Sequence, residues 1–472
     1  GLGDVYKRQM LYFAFLRFKM HEKFSKIGFV LAMAGSAVGL GNAWKFPTMV
    51  GNHGGSAFIL LYLFFTIFVA AVAFLAESAV GKLGESDTVT SLERIAPSHK
   101  KAWSLGGFFM IGAVLIASFY LVVIGWIAYY VVLSFTTLPT QASQAGEIFN
   151  NLISNNATIE ILCFSAVFGV VFYTVSKGIK NGIERLNMIM MPMLLVLLIL
   201  MLLYACFKAD GFTSALAFIF IPDFNKIFDA EIILQALGLA LFSLSIGVCT
   251  ISTYSASLNE DTNVFKSVLS IIAINIAVGV MMGLIVFSFI PINASQPAAS
   301  GPGLIFVSLL SLFGNLGIVG NVLGVMFFIS LLFAGITSAV SMIEPFVLYL
   351  INHFNFTRVN AILSIGAFVF ILGVLCALSY YEPSANALSF SFGANKAKPF
   401  FDMLDFLTSN ILMPLGALFF SVFVGWVLKK EGLVILFSNY VSVRIFEIWY
   451  FLLRFILPLG IIAVAIYSLA KA

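Results

Sequence analysis

The chain has 472 residues, of which 61% are hydrophobic and only 10% are charged, and its mean hydropathy is +1.06. Soluble domains carry roughly 25% charged residues, so this composition excludes an ordinary soluble domain and predicts a protein that crosses the membrane many times. The net charge of +4 does not point to a nucleic-acid partner. The four cysteines fall in or at the end of apolar segments, which is typical of small core residues and not of a disulfide or metal set.

The first residues differ from the rest of the chain. Residues 1–19 do not begin with Met, and we expect a non-native or disordered extension, with Met20 as the natural start. A short basic amphipathic arm at the membrane surface is the alternative. Residues 20–472 are expected to form a single transmembrane domain.

A window of about 19 residues predicts about eleven spans in this domain. In chain order they are Ile27–Val50, Ala57–Leu83, Leu105–Phe135, Ile159–Ser176, Leu186–Phe207, Ile232–Ser257, Val264–Ile290, Gly320–Leu350, Ala361–Tyr381, Met403–Leu428 and Trp449–Leu469.

Lysine and arginine are concentrated in the loops on one predicted side of the membrane. These residues are Lys23, Lys26, Lys82, Arg94, Lys100, Lys101, Lys177, Lys180, Arg185, Lys429 and Lys430. The positive-inside rule therefore predicts a cytoplasmic N-terminus. With an odd number of spans, the C-terminus is expected outside.

The first predicted span contains a stretch that an uninterrupted membrane helix would not carry. Three glycines, Gly35, Gly39 and Gly41, are followed by Asn42 and Lys45. Each unpaired backbone group in hydrocarbon costs several kcal/mol, so this stretch predicts a helix that breaks at the bilayer midplane to bind something polar.

The sixth predicted span has a similar interruption, from Phe242 to Gly247 (FSLSIG). The two breaks fall at matching positions of two five-span halves, and five is odd, so the second half must be inverted. This pattern predicts an inverted-repeat transporter with a site between two broken helices. The first repeat is expected over residues 27–207, the second over residues 232–428, and residues 449–469 form an additional span.

Four blocks of sequence carry a resemblance to a known family. They are Gly35–Pro47, Asn52–Phe58, Phe242–Gly247 and Phe333–Ser338. In this order they are similar to the neurotransmitter:sodium symporter family, whose bacterial members include LeuT-like amino-acid transporters. The resemblance extends from Ile27 to Leu428 and implies an all-α, LeuT-like 5+5 inverted repeat with broken first and sixth spans.

The same resemblance implies a function. We expect sodium-coupled import of a neutral, hydrophobic or aromatic L-amino acid by alternating access, in a bacterial inner membrane. The expected partners are the amino acid, sodium ions and the lipid bilayer, with no nucleic acid. An enzyme is not expected, because the sequence contains no intramembrane aspartate pair, HExxH motif or Ser–His constellation.

By resemblance, two sodium sites are expected. The first sodium site would use the carbonyl of Ala37 and the side chains of Asn42, Ser243 and Asn275, completed by the substrate's carboxylate. The second sodium site would use the carbonyls of Gly35, Val38 and Ala334 with the hydroxyls of Thr337 and Ser338. Each residue also has a plainer interpretation. Asn275 could form a hydrogen bond between two helices, and the hydroxyls of Thr337 and Ser338 could bond to carbonyls of their own helix.

The substrate's carboxylate is expected at the amides of Leu40 and Gly41, beside the hydroxyl of Tyr120. Monoamine carriers of the family have an aspartate where this chain has Gly39, which leaves room for a substrate that carries its own carboxylate. The full set expected to contact the substrate is Ala37, Gly39, Leu40, Gly41, Ile116, Tyr120, Phe242, Ser243, Ser245, Val248, Ser338 and Met342. Apolar helical residues are more often plain core, so the identity of the amino acid stays open.

Lys45 and Asp405 match the family's external gate pair, which would close over the substrate with Phe242. Two unrelated charges at span ends are the alternative. Glu77 is a lone carboxyl inside the second span, expected to be protonated or bonded to the unwound sixth span.

Two positions depart from the family's pattern. Relatives have a chloride site or a carboxylate in the seventh span, where this chain has Gly279, and a glutamine where it has Leu239. Tyr62 and Ser243 remain, so chloride dependence is left open. The cytoplasmic gate is also altered, with Lys23, Phe24 and Asn352 near the family's gate positions, and must use weaker polar contacts or another pair.

Two alternatives share the fold. One is a proton-coupled carrier in which Glu77 titrates, and the other is an amino-acid sensor that does not transport. Intact ligands for both sodium sites argue against each. The sequence leaves the sodium stoichiometry and the oligomeric state open.

Overall fold

The computed structural model describes residues 22–221, 224, 227–259, 261–290, 302–390, 397–438 and 440–471. The expected extension over residues 1–19 lies outside the described residues. Within them, nine helices are long and apolar enough to cross a membrane. They are Ser56–Gly84, Lys100–Leu133, Ala157–Ser176, Ile179–Lys208, Val264–Phe289, Ile318–Phe354, Arg358–Leu378, Phe400–Val427 and Val443–Ser468. These nine correspond to the second to fifth and the seventh to eleventh predicted spans.

The first and sixth predicted spans are each built from two half-helices. The first consists of Lys26–Ala37, then Gly41–Lys45 as a π-helical turn that continues into Phe46–Asn52. The sixth consists of Ala230–Ser243 and Thr250–Ala256. Together with the nine long helices they give the eleven predicted spans, so the helical fold with two broken spans is confirmed.

The break in the sixth span is produced by three residues with left-handed backbone. Ser245, Gly247 and Cys249 have φ values of 53°, 87° and 64°. Glycine is required at the middle position for a second reason, because a Cβ on Gly247 would lie 2.5 Å from the amide nitrogen of Ala417. The bend therefore packs directly on the backbone of the tenth span.

Short elements connect the spans. The short helices are Thr88–Ile95, Ala142–Asn150, Asn151–Asn155, Phe212–Phe220, Leu304–Leu309, Leu310–Gly314, Glu382–Ala385 and Lys430–Phe437. Ser389–Phe390 and Lys398–Pro399 form a two-stranded antiparallel ladder, a minor exception to the all-α prediction. The ladder follows the ninth span and closes the loop that leads into the tenth.

Packing divides the spans into neighbouring groups. The third span packs along the fourth, eighth and ninth. The first half-helix of the first span lies against the fifth, seventh and eighth spans, and both halves of the sixth pack on the second. The two breaks therefore lie among other helices of the bundle. We call the end of the bundle at which Ser25 caps the first helix the Ser25 end, and the opposite end the Lys45 end.

Candidate functional site

The two breaks face each other and a continuous helix, the eighth span. The carbonyl of Ser36, freed where the first helix ends, accepts hydrogen bonds from Ser245 Oγ and Ser338 Oγ, each at 3.1 Å. The hydroxyl of Ser36 lies 2.7 Å from that of Ser341. Backbone groups released by the break are thus satisfied by hydroxyls from the sixth and eighth spans, as a buried break requires.

The three side chains predicted for the first sodium site lie in one buried hydrogen-bonded cluster. Asn42 Nδ2 donates to Asn275 Oδ1 at 2.7 Å, and Asn275 Nδ2 lies 3.4 Å from Ser243 Oγ. The carbonyl of Ala37 accepts from the amide of Gly39 at 3.0 Å. Asn42 Oδ1 is buried and has no hydrogen-bond partner among the described residues. An unpartnered buried oxygen of this kind fits a site that receives a cation.

Three of the five residues predicted for the second sodium site, Gly35, Ala334 and Thr337, also meet. Thr337 Oγ1 lies 2.9 Å from the carbonyl oxygen of Phe333, 3.1 Å from that of Ala334 and 3.3 Å from that of Gly35. Ser338 reaches the next carbonyl of the first span, that of Ser36. Val38 is the residue at which the first half-helix ends, with φ −79° and ψ 78°. The oxygens of Gly35, Ala334 and Thr337 are thus already neighbours, which fits a hard cation that takes oxygen ligands.

The position predicted for the substrate's carboxylate is small and closely packed. The amide of Leu40 donates to the hydroxyl of Tyr120 at 2.9 Å. A Cβ on Gly39 would lie 2.6 Å from that hydroxyl and 3.1 Å from Ser338 Oγ, so only glycine fits here. A Cβ on Gly41 would lie 3.1 Å from the ring of Phe242. The break thus offers amide and hydroxyl donors without a basic side chain, which is what a carboxylate needs.

The residues predicted to line the side-chain pocket come from three spans. Ile116, Val248 and Met342 are buried, and Phe242 and Ser245 are partly buried. The five side chains carry no formal charge. They are therefore suited to an uncharged side chain, whichever one binds.

At the Lys45 end, the predicted gate residues approach one another without forming an ion pair. The ammonium of Lys45 lies 3.8 Å from the centroid of the Phe242 ring, a cation–π contact. Asp405 is its acidic neighbour and accepts from Ser409 Oγ at 2.9 Å. Within the part of the chain that the structure describes, the ion pairs do not include Lys45 with Asp405.

A cavity of about 100 Å³ lies beside this gate. Its walls come from the first, sixth, tenth and eleventh spans and include Lys45, Met49, Gln235, Phe242, Ile246, Asn410, Met413 and Tyr467. Phe242 thus borders both the cavity and the break at Gly41, and Lys45 contacts its ring.

Glu77 lies against the unwound part of the sixth span. It is fully buried, and its Oε2 accepts from the amide of Gly247 at 2.9 Å. The amides of Cys249, Ile251 and Ser252 also face this carboxyl. The carboxyl of Glu77 is thus bonded to the unwound segment, one of the two possibilities expected from the sequence. Backbone N–H groups take the place of water around it.

The positions relevant to chloride are mostly apolar. A Cβ on Gly279 would lie 3.8 Å from the ring of Phe46, and Leu239 is buried. Tyr62 and Ser243 remain, with their hydroxyls 3.2 Å apart. The hydroxyls that an anion would use therefore hydrogen bond to each other.

The Ser25 end is closed by apolar packing and by pairs other than the family's. Phe24 is buried with its ring centroid 5.2 Å from that of Tyr254, whereas Lys23 is exposed. Glu184 accepts from the Ser25 hydroxyl at 2.5 Å, and Asn352 donates to Asp87 at 2.9 Å. Arg358 binds the buried carboxylate of Glu344 through both terminal nitrogens.

Three polar residues near the site were not predicted from the sequence. Ser36 and Ser341 join the first and eighth spans, and Asn187 of the fifth span lies beside Gly35. An amide side chain without a hydrogen-bond partner is costly inside an apolar span. This argument identified Asn275 and would also have identified Asn187.

Comparisons with known proteins agree with this architecture. Residues 21–158 and 150–472 match the model of the sodium:neurotransmitter symporter family. The uncharacterized sodium-dependent transporter YhdH of Bacillus subtilis (strain 168) is 36% identical over 446 residues, covering 93% of this chain and 96% of the relative. An uncharacterized sodium-dependent transporter of Haemophilus influenzae is 30% identical, covering 94% of this chain and 97% of the relative.

Among solved structures, MhsT in complex with L-phenylalanine superposes with a TM-score of 0.84 at 33% identity, covering 95% of this chain and 100% of that chain. Family model, relatives and fold thus agree along nearly the whole described length. The chain belongs to the sodium:neurotransmitter symporter family and is a sodium-dependent symporter that spans the membrane many times.

Proposed function

We propose that this symporter couples sodium to the import of a neutral, hydrophobic or aromatic L-amino acid. The observation that carries the proposal is the donor set at the first break, where the amide of Leu40 meets the hydroxyl of Tyr120 beside Gly39. These donors suit a carboxylate, and Gly39 contributes no carboxylate of its own. A substrate that brings its own carboxylate, such as an α-amino acid, complements this arrangement.

The side-chain pocket supports an apolar substrate. Ile116, Val248 and Met342 are nearly inaccessible to solvent and none of them could pair with a charged side chain. The similar protein MhsT has been solved in complex with L-phenylalanine, which agrees with a large apolar side chain in this pocket.

Two sodium ions are the proposed co-substrates. Asn42, Ser243 and Asn275 form one buried oxygen-rich cluster, and Gly35, Ala334 and Thr337 form another. The substrate's carboxylate would complete the first cluster, so that binding of the amino acid and of one sodium ion would support each other.

Alternating access requires a closure on each side of the site. We assign the Lys45 end to the outside and the Ser25 end to the cytoplasm of a bacterial inner membrane, because the basic loops lie at the Ser25 end. Phe242, Lys45 and Asp405 would form the outer closure. Phe24 with the Ser25–Glu184 pair would form the inner one. The repeats over residues 27–207 and 232–428, with the span over residues 449–469 outside them, belong to this proposal.

The first prediction is that the amino acid binds only when sodium is present. Neutral amino acids should raise the unfolding temperature of the purified protein in sodium chloride but not in choline chloride or potassium chloride. Asn42→Ala and Thr337→Ala should each raise the sodium concentration for half-maximal binding by about tenfold, because each removes one oxygen ligand.

Asn321→Ala serves as the control, because this amide lies at the far end of the eighth span and donates to the carbonyl of Ser134 at 2.8 Å. It should leave the sodium dependence unchanged. Amino-acid binding of equal affinity in choline would overturn sodium coupling. Counterflow in proteoliposomes then separates a transporter from a sensor, because a sensor gives none.

A further inference from the structure

One buried polar group beside the proposed second sodium site is only half satisfied by hydrogen bonds. Asn187 lies in the fifth span and is fully buried. Its Nδ2 donates to the carbonyl of Ile183 at 2.8 Å, whereas its Oδ1 has no hydrogen-bond partner among the described residues. An unsatisfied buried acceptor costs about 1–3 kcal/mol, so this oxygen requires an explanation.

The direction in which the oxygen points is fixed by the other half of the amide. The carbonyl of Ile183 accepts a hydrogen bond and therefore selects the Nδ2 side, which leaves Oδ1 on the opposite side. Ile183 belongs to a π-helical turn, Ile179–Glu184, immediately before Asn187. The amide thus satisfies a carbonyl of this turn and is held in one orientation.

Oδ1 points at the backbone of Gly35. A Cβ on Gly35 would collide with Asn187 Oδ1, and it would also lie 3.2 Å from Thr337 Oγ1. Gly35 and Thr337 both belong to the proposed second sodium site, and Thr337 Oγ1 lies 3.3 Å from the carbonyl oxygen of Gly35. The unpartnered oxygen therefore borders the oxygen cluster proposed for the ion, in space that only glycine leaves open.

The surroundings offer little other use for this oxygen. The next turn of the same helix presents Met191, whose sulfur lies 4.0 Å from Thr337 Oγ1. The first span contributes Gly35 and the eighth contributes Thr337, so three helices meet around the amide. A neutral oxygen supplied here adds a ligand without adding a buried charge, which suits a monovalent cation.

We propose that Asn187 Oδ1 is a further oxygen donor to the sodium ion at the second site, contributed by the fifth span. This inference rests on the proposed second sodium site. It predicts that the fifth span senses whether the ion is bound, because the amide that faces the ion also bonds to the π-helical turn.

The test uses sodium alone as the probe, so that no substrate has to be known. Unfolding of the full chain in detergent is followed while sodium chloride replaces choline chloride at constant ionic strength. Asn187→Ala should raise the sodium midpoint about tenfold, the typical effect of losing a group that supports a metal site. Asn187→Asp, which offers a charged oxygen, should lower the midpoint.

A double-mutant cycle separates an effect on the ion from an effect on folding. If Asn187 and Thr337 serve the same ion, adding Asn187→Ala to Thr337→Ala should raise the midpoint by less than the factor seen in the wild type, because the two effects are coupled. Asn42→Ala affects the first site. Adding Asn187→Ala to Asn42→Ala should therefore raise the midpoint by the same factor as in the wild type. Asn321→Ala is the matched control and should lower the unfolding temperature without moving the midpoint.

The outcomes also distinguish this inference from the proposed function. If the wild-type protein shows no stabilisation by sodium, the proposed sodium site fails and the inference fails with it. If the wild type responds to sodium and Asn187→Ala keeps the wild-type midpoint, only the inference is overturned. If Asn187→Ala is too unstable to measure, Asn187→Asp decides, because an unchanged or raised midpoint in that variant contradicts the proposal.

Discussion

Gly39 is the residue at which space and charge together determine what the site accepts. Its missing side chain brings the Tyr120 hydroxyl and Ser338 Oγ close to the backbone of the first break. Even a methyl group here would overlap the hydroxyl, and a carboxylate would add negative charge beside the place proposed for the substrate's carboxylate. Steric and electrostatic effects at this position are therefore separable by substitution.

The second prediction concerns this residue. Gly39→Asp should reduce amino-acid binding by roughly 100-fold or more, because opposing like charges costs several kcal/mol. Gly39→Ala should reduce it by about tenfold through overpacking alone. Both are measured as equilibrium binding of the amino acid that stabilises the wild-type protein most.

The combination of Gly39→Ala with Tyr120→Phe is the control for the steric part. The double variant lacks the hydroxyl that overlaps the new methyl group. Its unfolding temperature should therefore be higher than that of Gly39→Ala alone. Unchanged affinity in Gly39→Asp would mean that the substrate lies elsewhere.

At the level of the elements, the two breaks depend on different supports. The carbonyl of Ser36 in the first span is held by hydroxyls of the sixth and eighth spans. The amides of the bend in the sixth span face one carboxyl, that of Glu77, which accepts from Gly247. A carboxyl in that place therefore has a structural reason to exist that does not require it to move protons.

The third prediction follows from this support. Glu77→Gln keeps an acceptor oxygen for the Gly247 amide and should retain sodium-dependent binding within about tenfold of the wild type. Glu77→Ala leaves the amides of the bend without an acceptor and should destabilise the fold by about 3 kcal/mol. Thermal unfolding and binding in sodium measure the two effects.

The alternative of proton coupling makes the opposite prediction. A proton-coupled carrier would accumulate the amino acid in sodium-free vesicles under an inward pH gradient, and Glu77→Gln would abolish this uptake. Such a result would exclude the purely structural role of Glu77.

Much of the fold was predictable because its main features are local. Gly35, Gly39 and Gly41 in one span and the FSLSIG sequence in another indicate breaks without any knowledge of tertiary contacts. Both breaks, and the order of the spans, were predicted from composition and periodicity. The residues grouped as two sodium sites came from the family resemblance, and spacing alone would not have grouped them.

The remaining features depend on contacts between distant parts of the chain. Asn42 and Asn275 are 233 positions apart, and Ser36 and Ser341 are 305 apart. Periodicity identifies which residues are buried but not which of them meet. The contact of Lys45 with Phe242 and the pairing of Ser25 with Glu184 likewise became apparent only from the packed helices.

At the scale of the whole molecule, the positive charge of the transported sodium ions has to be balanced by nearby negative charge. The side chains of the proposed first sodium site, Asn42, Ser243 and Asn275, are all neutral. The negative charge nearest to that ion would come from the substrate's carboxylate. At Gly279, where the family resemblance implies a carboxylate or a chloride site, a Cβ would lie 3.8 Å from the ring of Phe46.

The fourth prediction is that transport depends weakly or not at all on chloride. Leu239 replaces the glutamine that would donate to an anion, and the hydroxyls of Tyr62 and Ser243 bond to each other at 3.2 Å. Replacing chloride by gluconate at constant sodium should therefore change uptake little.

Gly279→Glu should keep or strengthen sodium affinity, provided that the ring of Phe46, 3.8 Å from the new Cβ, moves aside. Gly279→Gln is the matched control for that movement, because it has the same size without the charge. A steep loss of wild-type uptake in gluconate that Gly279→Glu restores and Gly279→Gln does not would reverse the prediction, since a fixed carboxylate would then be replacing a bound chloride ion.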